Sequence, residues 1–235
     1  MQTIDATDSI QVRQTTTSSL LARVLWITTV GFLFTAFGAW LAPPTLGISY
    51  LAIVIVNFAL IFAISYATRK SNALGLTLFY VFTTLMGVQI SPIINQTLHT
   101  AGGQTIVLEA ALTTALGMAL MGVIAEFANF NYMKVGRIAF FALIGLIVLG
   151  LLGSFVFYVN PTIYAWLTLI IFSVFLLVDF MRLRDAAQTG IDRGRYGSTA
   201  TPASAVWLAL RIYLDALNIF LALLRIFGGG RRSSR

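Results

Sequence analysis

The sequence predicts an all-α polytopic membrane protein: seven transmembrane helices, with the C-terminal helix central in the bundle. Three observations predict this. Of the 235 residues, 58% are hydrophobic and 10% charged, whereas a soluble domain carries about 25% charged residues. Seven apolar runs, at about 21–42, 48–67, 73–93, 105–125, 137–159, 161–181 and 203–227, each approach the ~20 residues a spanning helix needs. The last run nevertheless carries Arg211, Asp215, Asn218 and Arg225. A charge at the bilayer centre costs roughly 2.5–3.5 kcal/mol on insertion scales, so this helix belongs behind a shield of others.

The first run has Trp26 and Trp40 near its two ends, as an aromatic belt places them. Pro43, Pro44 and Gly47 then turn the chain, and the second run ends at Arg69-Lys70. Pro92 in the third run frees a backbone carbonyl, which predicts a kink or an early helix end. The fourth run holds Glu109 and ends at Glu126. In the fifth, Gly145, Gly150, Gly153 and Ser154 allow close helix contact, with Gly150 and Ser154 on one face. Tyr158, Pro161 and Tyr164 mark an interfacial turn. The sixth run ends VDFMRLR, before a polar linker of about 20 residues. Residues 1–20 read as a flexible polar tail, 21–227 as the membrane domain, and 228–235 as a flexible basic tail.

The Lys and Arg residues alternate by loop. The N-terminal side has Arg13 and Arg23; the second loop Arg69 and Lys70; the fourth Lys134 and Arg137; the sixth Arg182, Arg184, Arg193 and Arg195. The odd loops have none. This places the N-terminus and the even loops in the cytoplasm. Seven crossings then put the C-terminus outside, against Arg225, Arg231, Arg232 and Arg235. The length of the last run, without a central Gly or Pro, favours crossing over re-entry. The net charge of +7 is spent on topology rather than on nucleic acid. There are no cysteines, which excludes disulfides, thiolate metal sites and cysteine nucleophiles. The single histidine, His99, makes no metal site alone. The only lysines, Lys70 and Lys134, lie in loops, which excludes a retinal Schiff base.

Asp179 and Asp215 fall on consecutive helices, which favours antiparallel neighbours with carboxyls at similar depth. Two carboxylates in a low-dielectric site do not comfortably both ionise, so the pair holds one proton between them. Protonated, such a pair latches the helices together. Deprotonated, it repels and offers hard oxygen ligands that suit a transient Ca²⁺. The structural alternatives are pairing of Asp215 with Arg211 four residues away, and of Asp179 with Arg182. Asn218 shares the face of Asp215 and reads as glue between helices. Glu109 reads as solvated near the outer surface, and Glu126 as interfacial.

ALRIYLDALNIFLALLRIFGG, YVFTTLMGVQISPII (80–94) and GRIAFFALIGLIVLGLL (from Gly136) together resemble the transmembrane Bax inhibitor motif family, in a bacterial-type member, over about 21–229. The resemblance implies a seven-helix fold around the C-terminal helix. It also implies a Ca²⁺ leak governed by aspartates on the last two helices, matching Asp179 and Asp215. Here the sixth helix reads Leu-Val-Asp-Phe where the family more often shows a Tyr-Asp-Thr-like sequence, and the second helix offers Asn57 with no basic residue before Arg69. The expected function is a pH-sensitive Ca²⁺-permeable leak channel, not an enzyme and without a cofactor, in a bacterial inner membrane. Its expected partners are the lipid bilayer, Ca²⁺ and protons. The alternative is a non-catalytic interaction protein that modulates a membrane protease or a cell-death or stress pathway. An intramembrane aspartyl protease fits poorly: its second aspartate follows Gly-x-Gly, whereas Asp215 follows Ile212-Tyr213-Leu214 and no Pro-Ala-Leu comes after it.

Overall fold

The computed structural model describes residues 6–42, 49–155, 158–194 and 202–230. Among them it has seven helices and no strand: α1 (Ala6–Leu41), α2 (Ser49–Lys70), α3 (Asn72–Leu98), α4 (Gly103–Phe127), α5 (Tyr132–Phe155), α6 (Pro161–Gly194) and α7 (Pro202–Gly230). All seven contain a stretch long and apolar enough to cross a membrane. In α7, 67% of that stretch is buried, against 17–33% in the other six. The C-terminal helix is therefore the enclosed one, and the charges it carries explain why. The outer helices turn large side chains such as Trp40, Phe62, Leu116 and Phe141 outward, as lipid-facing surfaces do.

Helix ends differ from the apolar runs in instructive ways. Residues 6–20, expected to be a tail, are the first turns of α1. They contain neither Gly nor Pro, so a helix nucleated in the apolar span propagates back through them. Likewise α6 does not give way to a linker after VDFMRLR but runs on to Gly194. That extension opens on the good helix formers Ala186, Ala187 and Gln188, and Ala187 is buried one turn beyond Leu183. Helix α7 takes in Gly228–Gly230 of the expected basic tail. Pro43, Pro44, Gly47 and Arg195 lie outside the described residues, as do 1–5 and 231–235.

The helix carrying Pro92 does not end there; α3 continues to Leu98. Proline removes the N–H that would have bonded the carbonyl four residues back, that of Val88. The hydroxyl of Ser91 donates to Val88 O instead, at 2.8 Å. The preceding serine thus supplies the hydrogen bond that the proline withholds, and the helix survives.

The chain divides into two compact units, 1–91 with 182–211 and 92–181 with 212–235. In the first, α1 and α3 approach backbone to backbone. A Cβ on Gly38 would strike the carbonyl of Thr84, and one on Gly87 the carbonyl of Thr35. The Thr35 hydroxyl is shared between Gly31 O of its own helix (2.9 Å) and Thr83 O of α3 (3.1 Å). Phe34 stacks on Tyr80 with ring centroids 4.9 Å apart. Helices α2 and α3 meet through Asn57, whose amide donates to Gln89 Oε1 at 2.7 Å.

In the second unit, turns are set by local chemistry. Gly102 takes φ 73°, the left-handed region, to bring α3 round into α4. Asn131 caps α5 by accepting from the Lys134 N–H, and Asn160 caps α6 by accepting from Thr162 N–H, with Pro161 as the first helical residue. Of the fifth-helix glycines, Gly150 lies against the Tyr164 ring of α6 and Gly153 against Val159, whereas Gly145 faces nothing within 4 Å. The expectation of close helix contact therefore holds for Gly150; Gly153 meets the α5–α6 turn instead, and Gly145 meets nothing. Gly87→Ala forces the backbones of α1 and α3 apart and is expected to destabilise the protein by ~1–3 kcal/mol. Gly145→Ala is expected to leave the melting temperature unchanged or slightly raised. Thermal unfolding of both variants in detergent checks the pair.

Candidate functional site

Asp179 and Asp215 are the two buried carboxylates of the described core, 1% and 7% exposed. Their neighbours along the chain are apolar and also buried: Leu176, Val178 and Met181 on α6, and Ile212, Ala216 and Leu217 on α7. Both belong to the second unit. Phe180, next to Asp179, lies across from Gly122 of α4, where an added Cβ would sit in ordinary contact at 3.7 Å from its ring.

The register of α6 and α7 follows from one contact. A Cβ at Gly229, near the end of α7, would lie 3.5 Å from Thr162 Oγ1, at the start of α6. The helices are thus antiparallel there. From that level Asp179 is about 25 Å along α6 and Asp215 about 21 Å along α7, at 1.5 Å per residue. The two carboxyls therefore lie within about one helical turn of the same depth.

The supporting residues take distinct places. Arg211 and Arg182 are half-buried, one turn from Asp215 and Asp179 along their own helices. An ion pair on α6 joins Arg184 Nε to Asp185 Oδ1 at 3.8 Å; it is partly exposed, and such pairs contribute little. The Asn218 amide donates to Leu214 O of its own helix at 2.8 Å. Its hydrogen bond is therefore local rather than the interhelical one expected of it. Asparagine, like serine and threonine, can give its hydrogen bond to a backbone carbonyl of its own helix, and Asn218 does so. Glu109 and Glu126 are exposed on α4, and His99 is exposed at the turn after α3. Among the described residues no three His, Cys, Asp or Glu converge as a metal site. Gln89 and Met86, partners of Asn57, carry polar atoms into the membrane interior and were not singled out from the sequence.

Comparison with known proteins places this arrangement. The family described as Inhibitor of apoptosis-promoting Bax1 (Bax1-I) matches residues 17–232. The chain belongs to this family. Among its Bax1-I relatives, the Inner membrane protein YbhL of Escherichia coli K12 is 28% identical over 98% of this chain and 100% of its own length. An uncharacterized membrane protein of Streptococcus pyogenes serotype M1 is 30% identical over 76% of this chain and 74% of its own. A protein of Helicobacter pylori J99 is 28% identical over 91% and 84%, respectively. The resemblance read from the sequence is thereby established, and the chain is an integral membrane protein.

The register can be tested directly, because the chain has no native cysteine. Thr162→Cys combined with Gly229→Cys is expected to form an oxidative cross-link in membranes. Thr162→Cys with Leu221→Cys, about 12 Å away along α7, is expected to form none.

Proposed function

We propose that this Bax1-I protein is a pH-sensitive leak for Ca²⁺, governed by a proton shared between Asp179 and Asp215. The observation that carries the reading is the burial of both carboxyls, on helices α6 and α7 whose approach at Thr162 and Gly229 is that of antiparallel neighbours. Two carboxylates buried in a low-dielectric interior do not comfortably both ionise, so a common proton is the least costly way to keep them close. The protonated pair ties α6 to α7. Raising the pH removes the proton, both groups become anionic, and repulsion loosens the contact while exposing up to four carboxylate oxygens. Ca²⁺ takes 6–8 oxygen ligands, so two carboxylates hold it loosely enough to let it pass on. No covalent step is required, and the reading is of a non-enzymatic protein with Ca²⁺ as cargo rather than cofactor.

In proteoliposomes loaded with a Ca²⁺ indicator, flux is expected to rise with pH, by up to about tenfold per unit for a single-proton step. Asp179→Asn and Asp215→Asn are each expected to flatten that dependence. A pH dependence unchanged in both variants, with both correctly folded, sinks the proposal.

The basic residues of the even turns support an orientation with the N-terminus in the cytoplasm, in an inner membrane like that of YbhL. A membrane-impermeant maleimide added to intact cells is then expected to label His99→Cys, and to reach Ser71→Cys only after permeabilisation. Equal labelling of both in intact cells contradicts the orientation.

A further inference from the structure

Asn57 is a second polar group deep in the span, on α2 and facing α3, and it does not belong to the aspartate pair. Its side chain is 4% exposed. Its Nδ2 donates to Gln89 Oε1 at 2.7 Å and to Met86 Sδ at 3.4 Å. Its Oδ1 is buried and accepts no hydrogen bond. Asn57 lies about 20 Å along α2 from Lys70, the end next to the α2–α3 turn, well inside a hydrocarbon core of about 30 Å. A bare amide oxygen at that depth costs more than immobilising one small molecule to meet it.

We propose that Asn57 and Gln89 hold a buried water molecule in the membrane interior, against the Met86 thioether. Three points favour water over a cation. The unmet atom is a neutral oxygen, which calls first for a hydrogen-bond donor. The pair offers only two neutral oxygens, far short of the shell a hard cation takes. And if both amides are turned over, the bond between them persists with Gln89 donating, and the unmet atom of Asn57 becomes an N–H. Water answers either arrangement, because it both donates and accepts. The site makes the α2–α3 seam a wetted point within the bilayer, on helices other than those carrying Asp179 and Asp215.

Radiolytic hydroxyl labelling of the full-length protein in lipid nanodiscs, in isotopically labelled water, reads the site through Met86 oxidation. Met118 on α4, half-buried as Met86 is, and Met181, 1% exposed on α6, serve as references within the same chain. Met86 is expected to gain labelled oxygen several-fold faster than either. Asn57→Leu is expected to bring it down to their rate, and Gln89→Leu to do the same if the first variant does not fold. Met86 labelling at the reference rate in the unmodified protein overturns the proposal. So does fast labelling that survives the substitution in a folded variant.

Discussion

A carboxyl group in the hydrocarbon core of a bilayer persists only where protein replaces the water it has lost. That constraint organises this molecule. Helix α7 carries Arg211, Asp215, Asn218 and Arg225, and it is by far the most buried of the seven. The outer helices carry almost no charge in mid-span and show large apolar side chains outward. What is unusual in α7 as a sequence, an apolar run long enough to span yet studded with charge, is what its enclosure explains.

The same constraint acts on each smaller polar group. Nothing in lipid satisfies a backbone or hydroxyl group, so each must be met from within the protein. Thr28, Thr35 and Thr114 return their hydroxyls to carbonyls one turn back on their own helices. Ser91 does the same for Val88 O, and by doing so lets α3 pass through Pro92. Thr35 additionally reaches Thr83 O, because Gly38 and Gly87 let two backbones come within reach of a short side chain. Close approach and polar satisfaction thus depend on each other in the α1–α3 pair.

The spans were legible in the sequence because a bilayer imposes a length, and runs of about 20 apolar residues report it. Their ends were not. The polar stretch 6–20 and the start of the linker, 185–194, read as tail and linker by composition, yet the first holds no Gly or Pro, and the second holds no Pro and keeps Ala187 buried one turn beyond Leu183. The burial of Asp179 and Asp215 was legible as charge inside apolar runs. Their matched depth was not, since it depends on how α6 and α7 register, and that is fixed by the Thr162–Gly229 contact. The α1–α3 contact was missed because Gly31 and Gly38 are one heptad apart on one helix and become meaningful only when paired with Gly87 on another. Asn57 and Gln89 could have been paired by folding the sequence about the turn at Ser71, which sets them roughly level.

Family membership and architecture rest on the whole chain, but the proposed activity rests on two side chains acting as one group. Infrared spectroscopy of the protein in lipid bilayers, titrated through the pH range over which flux changes, observes the protonated carboxyl directly. The aspartates are expected to titrate as a coupled pair, so that replacing either by asparagine alters how the other gains and loses its proton. Titration of each aspartate that is identical with and without the other would contradict it.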